Sequence, residues 1–534
     1  MPNRLEPLNV FDFTGGLNLR PDTFQLSGNE ISDVLNMEPD DRGGLQVRKG
    51  WDYWGTSPIT ADPWNPRNAF LHVTSDNNHR VLVVNNNKLI SGRSGVFGVV
   101  AGVTTGAKPH GADFVGWNDY VRMACGRNQP GIRYDALNNT ATACVVSGGA
   151  NWQNDYGVPG STLNQPQAEV IAQHAGYLFV ANTRENAVNY PTRVRWSHPN
   201  NPNAWALNDF IDIQEGGDNI TAMIPFADRL LIFKQDSVWA LFGYDAETWE
   251  FTNVSRNIGC IHQQAVARSE GACFFVSWPQ GIFAYTERSG VQEISQNIRP
   301  LFIDNQLSYA GTQNIWLGWV NRRLWCSLPW LPDAVSTTAT TAFVMDPEVG
   351  QGAWTKFRGA DKCVPGPYME RPLGSDLPML AFCRVAAHAF MLEAREDASD
   401  VVHDTVTGFD SFVRTAWMDA GAPTWKKSWR RPDFLLRGIQ NPTDISITVF
   451  HNFDHLNPAR QYRVQFSPVS EQAMWGQFVW GDGTKWGKGT QTGSPERGST
   501  MGRAGALQVL ATGTPGKPWG LNGIVFKYVP RRFR

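Results

Sequence analysis

Residues 229–251, RLLIFKQDSVWALFGYDAETWEF, are followed by 258–267, IGCIHQQAVA, and by 276–300, VSWPQGIFAYTERSGVQEISQNIRP. Apolar runs such as Leu231-Ile232-Phe233, Val238-Trp239-Ala240-Leu241 and Ile282-Phe283-Ala284-Tyr285 are each closed by turn chemistry, as at Gln235-Asp236 and Gly243-Tyr244-Asp245. Runs of this length between turn residues, with no helical interlude, are the pattern of antiparallel strands. No catalytic signature accompanies them.

The same bursts extend outward in both directions. VLVVNNNKLISGRSG, GIRYDALNNT, YLFVANTREN and RVRWSHPNNPNAW precede the stretch, and RLWCSLPW, AFVMDPEVGQGAWTKF and AFMLEARED follow it. In GYDAETWEF and MDPEVGQGAWTKF a strand ends in an acidic turn and a Trp restarts the next strand. Taking Asp245, Glu287, Asp346 and Arg395 as marks, the units recur every ~40–60 residues, which suits one four-stranded blade each. A small sheet cannot hide both faces alone, and stacking such sheets around an axis buries them. The expectation is an all-β chain built on an irregular β-propeller, of about six blades, across residues 61–410.

The flanks differ. Residues 1–60 form an expected N-terminal arm, in which Ser27 to Met37 fits one short helix. Ser27 would be its N-cap, Glu30 would complete a capping box, and Ile31, Val34 and Leu35 would share the apolar face. Residues 411–534 read as a C-terminal β-sandwich-like sheet extension, with Ile445, Ile447 and Val449 alternating against Ser446 and Thr448. Within it the Gly-rich run from Trp475 to Arg503 reads as a long loop.

Composition agrees. The 51 Gly, 33 Pro and 22 Trp against 11 Met describe a turn-dense, aromatic-rich β protein, too long at 534 residues for a single small core. A formal net charge of −2 gives the whole chain no electrostatic mandate to hold nucleic acid or an anionic membrane. The seven cysteines, Cys125, Cys144, Cys260, Cys273, Cys326, Cys363 and Cys383, are scattered without a CxxC pair. They read as buried free thiols of a protein made in a reducing cytoplasm. The opening MPNRLEPLNVFDF lacks the basic and apolar regions of a secretory signal, and no run reaches the ~18 apolar residues of a membrane span.

The sequence carries no clear enzyme constellation. In Gly513-Thr514-Pro515-Gly516-Lys517 the glycines lie too close for a phosphate loop, and Pro518 stands where Ser or Thr must ligate magnesium. His262 and His388 sit singly in apolar strand contexts. A carboxylate pair for glycoside cleavage would have to come from distant blades, and Asp236, Asp245 and Asp346 each sit where a turn favours Asp. No metal, cofactor or catalytic residue is expected. The densest basic cluster, Trp425-Lys426-Lys427-Ser428-Trp429-Arg430-Arg431-Pro432, has Trp and Arg of the kind that anchor protein interfaces. Single-stranded nucleic acid is the weaker alternative for it.

Several of these segments carry a likeness to a known family. FTGGLNLRPDTFQLSGNEISDVLNMEPDDRGGLQVRKGW, at residues 13–51, resembles the opening of tail proteins of tailed bacteriophages, with its GGLN turn and GGL-basic-RKGW close. RLLIFKQDSVWALFGYD, GCIHQQAVA, WPQGIFAY, ISQNIRP, RLWCSLP, VMDPEVGQGAWTKF and RRPDF resemble further segments of that group. The likeness spans most of residues 11–440. Within it the chain is most similar to the nozzle, or tail tubular, proteins of short-tailed phages and to packaged-DNA stabilisation proteins. The resemblance implies a structural virion component without cofactor, assembled in the host cytoplasm. Its copies, commonly six, would form a homo-oligomeric ring below the portal and adaptor proteins. Such a ring would meet tail fibre or tip proteins, retain the packaged double-stranded DNA and pass it at ejection.

On that reading the subunit and adaptor contacts are expected from Phe13, Leu17, Leu35, Arg48 and Trp51 in the arm. Trp425, Trp429, Arg430 and Arg431 would add to them from the basic strand. A lumen that must not trap DNA should be neutral or acidic. The alternative is a minor tail or baseplate protein of a long-tailed phage that binds host glycan through exposed Trp and Asn clusters. A cell-wall glycosidase is a third reading.

Overall fold

A computed structural model describes residues 5–20, 25–40, 42–55, 59, 64–106, 108–144, 163–215, 218–304, 306–330, 341–350, 352–360, 364–369, 380–383, 388–395, 397–402, 405–422, 424–437, 443–466, 472–473, 485–486, 491–493 and 502–530. Strand is their dominant regular structure. The one α-helix among them is the single turn Pro300–Ile303.

Six four-stranded antiparallel sheets stand free as propeller blades. The first five occupy residues 66–99, 113–143, 167–212, 220–255 and 266–293 in chain order. The sixth, the closing blade, joins Pro365–Tyr368, Leu380–Cys383 and Ala389–Arg395 to Gly50–Tyr53 from near the start of the chain. A further four-strand unit, Trp316–Val320, Arg323–Leu328, Thr341–Met345 and Trp354–Phe357, completes the circle between the fifth blade and the closing blade. It is shared with a larger sheet. The innermost strands of these units neighbour one another in turn, and that of the closing blade returns to the first.

Local chemistry explains the hairpins. Asn86-Asn87, Asn118-Asp119 and Asn321-Arg322 are two-residue connections whose Asn sits at φ 53°, 50° and 52°. Positive φ is what a turn matching the strand twist requires, and Asn tolerates it. Blade stacking is equally visible in one strand. In Arg229–Lys234, Leu231 and Phe233 pack toward Phe275 and Ile282 of the fifth blade, while Leu230 and Ile232 pack toward Phe179 and Trp196 of the third. Both faces are buried, so the run reads as continuously apolar instead of alternating.

The shared unit opens a ten-stranded sheet. Beyond Trp354–Phe357 come Gly16–Leu17, Glu30–Leu35, Phe412–Thr415, Leu507–Gly513, Thr443–His451 and Arg460–Phe466. An eight-stranded sheet gathers Glu6–Val10, Met37–Pro39, Leu45–Val47, Lys427–Trp429, Asp433–Arg437, Gln491–Gly493, Gly502–Ala504 and the long Gly520–Pro530. The inner faces of these sheets meet in one core that runs from Val10 and Ile447 through Phe434 and Phe526 to Phe233 of the fourth blade.

Two expectations are corrected. Residues 27–37 form no helix, because Glu30–Leu35 is a strand, paired parallel with Gly16–Leu17 and antiparallel with Phe412–Thr415. The ladder slips between Ile31 and Asp33. That bulge brings Ile31, Val34 and Leu35 to buried positions with a spacing that imitates a helix face. One of the two expected capping contacts exists, within a turn: Ser27 N–H donates to Glu30 Oε2 at 2.8 Å, while Glu30 N–H donates to the Ser27 main-chain carbonyl at 3.0 Å in place of its hydroxyl. The second correction concerns residues 1–60, which are not an arm lying on the body. Their strands are threaded through both large sheets and the closing blade. The Gly-rich run 475–503 and Cys363 lie largely or wholly outside the described residues; Cys125, Cys144, Cys260, Cys273 and Cys326 are buried free thiols, and Cys383 is buried as well.

Candidate functional site

The innermost strands surround an axial cavity of about 1120 Å³. Half-buried Phe70, Phe114 and Trp319 give it aromatic walls, with Arg268 and Asn321 among its polar lining. Phe70 and Phe114, from adjacent blades, stack at 5.6 Å with an interplanar angle of 8°. This volume is that of a small-molecule pocket and is no passage for a DNA duplex.

Where the innermost strands begin, side chains from several units converge into a polar cluster. Asp113 is buried, accepts from Gln264 Nε2 at 3.1 Å and has Lys108 Nζ at 3.5 Å. Lys108 also lies 3.8 Å from Glu169, which Arg127 approaches from the other side at 3.5 Å. His110 and His262 stack at 4.1 Å, and His262 Nε2 is 3.0 Å from the Thr312 carbonyl. Burial pushes the Asp113 carboxyl up to about 6 against the opposing pull of Lys108. Burial, together with the neighbouring His262, pushes His110 down to about 2, and burial brings His262 to about 4. Both rings are therefore neutral at ordinary pH. Among the described residues no three His, Cys, Asp or Glu side chains assemble as a metal-ligand set.

The expected contact residues fall into two groups. Phe13, Leu17, Leu35, Arg48, Trp51 and Trp429 are buried within their own chain. They cannot form a contact surface, because alternate strand residues there already have partners in the same core. Trp425 is 49% exposed, Arg430 is exposed and Arg431 half-buried, so this end of the basic strand does face outward. Lys427 points inward instead, its ammonium capping the Trp425 and Gly505 carbonyls at 3.1 and 3.0 Å.

Arg48 shows what the buried group does. Its guanidinium binds Asp400 through both nitrogens, at 3.0 and 2.7 Å, and donates to Asn36 Oδ1 at 3.0 Å. It is sandwiched between Trp51 and Phe409, 3.9 and 3.8 Å from the ring centroids. Asp400 additionally accepts from the Trp51 and Ala360 N–H groups, at 2.9 Å each. Residues 36, 48, 51, 360, 400 and 409 are thereby locked at one joint, where the first fifty residues meet the shared unit and the C-terminal sheets. Nothing in the sequence signals Asp400 as the partner.

The remaining candidates sit in turns or in a ring stack. Asp245 accepts from Thr248 N–H at 2.9 Å and Asp346 from Glu348 N–H at 2.9 Å, each closing its own turn. Asp236 lies on an exposed turn of the fourth blade. Residues 513–517 make a turn closed by Lys517 N–H to Thr514 O at 3.2 Å. His388 stacks on Tyr53 at 3.8 Å.

No protein-family profile and no curated protein matches the chain. Among solved structures it is similar to virginiamycin B lyase from Staphylococcus aureus, at 10% identity and a TM-score of 0.39 over 63% of this chain and 97% of that one. It is also similar to U3-55K, at 8% identity and a TM-score of 0.39 over 63% and 99% of the two chains. The extracellular domain of BT4673 from B. thetaiotaomicron aligns at 11% identity and a TM-score of 0.33, over 66% of this chain and 51% of that one. Likenesses this loose add nothing to the fold read from the strand order. No helix among the described residues is long and apolar enough to cross a membrane.

Proposed function

We propose that the protein is a structural component of a phage tail, of the nozzle or tail tubular kind. Its copies associate head to tail into a ring that extends the portal and adaptor channel, retains DNA and passes it at ejection. The observation that supports this reading is where the residues of the sequence likeness lie. Gly16, Leu17, Asn18, Asn36, Arg48 and Trp51, from the FTGGLN to RKGW stretch, are all buried at joints between sheets. Such residues serve a wall whose parts must not move relative to one another.

The axial cavity is too small for a duplex, so on this reading the DNA channel lies between copies and not along the propeller axis. A suitable lumen surface is an acidic hollow of about 240 Å³ lined by Glu38, Asp40, Asp346 and Glu348 around Arg323. Acidic surface gives phosphate nothing to bind. Contacts between copies are assigned to the exposed end of the basic strand, at Trp425 and Arg430. No catalytic step is part of the proposal.

Negative-stain imaging and mass photometry of the purified protein, alone and with an adaptor ring, test it. Closed rings, commonly of six, are expected. Monomers that stay monomeric beside the adaptor overturn it. The aromatic axial cavity favours one second reading, binding of host glycan, which predicts glycan-array signal from the monomer lost on Phe114→Ala.

A further inference from the structure

A second hollow, of about 340 Å³, opens where the shared unit meets Gly16–Leu17, Glu30–Leu35 and Phe412–Thr415. Leu17, Leu19, Trp330 and Phe343 give it an apolar side, and Asp33, Lys356, Arg414 and Gln508 a polar one. His455 stands exposed at its rim.

The charges on its wall do not balance. Asp33 is opposite Arg414 in strand register, yet its Oδ1 lies 2.9 Å from Lys356 Nζ and accepts from Val34 N–H at 2.9 Å. Among the described residues Arg414 has no carboxylate at ion-pair distance, and its Nε–H is buried without an acceptor. Phe450 is the aromatic ring beside it, at 5.4 Å. Two cations thus stand on this wall beside a single carboxylate, which Lys356 holds, and half-buried Arg414 is left without a counter-charge. A second group is also left over. Gln508, 1% exposed, donates to Ser32 Oγ at 3.1 Å and to Thr415 O at 3.0 Å, while its Oε1 is buried with no donor.

We propose that this hollow receives the C-terminal carboxylate of a polypeptide that ends in an apolar residue. The carboxylate answers Arg414, with Lys356 beside it, in the paired geometry that guanidinium and carboxylate favour. The N–H of the terminal residue answers Gln508 Oε1, and its side chain lies against Leu17, Leu19 and Trp330. A chain end supplies one negative charge, one donor and one apolar group within a single residue, matching the three features left unanswered. The site belongs to the single chain and does not depend on ring formation.

Titration of the full-length protein with acetyl-Gly-Leu, followed by calorimetry, is the test. The free acid should bind at least ~10-fold more tightly than acetyl-Gly-Leu amide, a difference of ~1.4 kcal/mol. Arg414→Gln should remove that preference. Leu19→Glu, which supplies a carboxylate from the half-buried rim, should abolish binding while the melting temperature holds, so loss of binding is separable from loss of fold. A ten-residue peptide ending in Gly-Leu should bind no worse than the short probe. If it binds ~10-fold more weakly, the pocket takes free small acids and the proposal fails. Equal binding of acid and amide, or unchanged binding by Arg414→Gln, also overturns it.

Discussion

Arg48 shows how much of this molecule rests on single polar contacts in apolar surroundings. Removing one member of a buried ion pair strands the other, at a cost of ~3–5 kcal/mol. Arg48→Met should therefore lower the urea midpoint by that equivalent, with little change in slope. For an isolated pair, replacing both members by apolar residues often restores stability. Here it should not. Asp400 also satisfies the Trp51 and Ala360 N–H groups, and leaving those two donors buried costs ~1–3 kcal/mol each. Arg48→Met with Asp400→Leu is expected to be no more stable than Arg48→Met alone. A double variant that recovers to the wild-type midpoint would show that Asp400 matters only as a counter-charge. Arg48→Lys should also fail, because an ammonium cannot bind both carboxylate oxygens while lying flat between Trp51 and Phe409.

Elements differ in how plainly the chain announces them. The blade hairpins were legible because their information is local: an apolar run, an Asn or Asp turn, and a Trp restart such as Trp354, which begins the strand Trp354–Phe357. The strand Glu30–Leu35 was not, because what decides it lies hundreds of residues away. Its antiparallel partner is Phe412–Thr415, and its bulge disguises the alternation a strand would otherwise display. The closing strand Gly50–Tyr53 was hidden in the same way, and so was the burial of Phe13, Leu17 and Trp51, whose aromatic and apolar character fits a contact surface as well as a core. Glycine marks one of these long-range junctions. Gly16 has φ +63°, and a Cβ there would lie 2.7 Å from the Ala353 Cα. Gly16→Ala should destabilise by more than ~1 kcal/mol, the scale at which Ala is normally neutral or helpful. Amide exchange should quicken first at Leu17 and Trp354, which pair across that junction. Uniform loss of protection across all blades would instead place the strain elsewhere.

At the scale of the whole molecule, no seam among the described residues marks a part that could unfold and leave the rest. Glu6–Val10 pairs with the C-terminal strand Gly520–Pro530, while Gly50–Tyr53 closes a propeller blade. A single hydrophobic cluster carries Val10, Phe233, Phe343, Trp429 and Phe526 together. Length alone suggests two or three independent domains, each with its own transition. The shared core argues for the opposite, since exposing the C-terminal sheets also exposes the fourth and fifth blades. Scanning calorimetry should show one dominant transition whose calorimetric and van't Hoff enthalpies agree. Deleting residues 1–53 should then abolish that transition entirely, because the deletion takes one strand from the closing blade and four from the two large sheets, along with Glu6–Val10. Two resolved transitions in the intact chain, or a truncated chain that still melts cooperatively at an unchanged temperature, would mean that the propeller stands without its welds. On the proposed ring reading, rigidity would then have to come from neighbouring copies instead of from the fold.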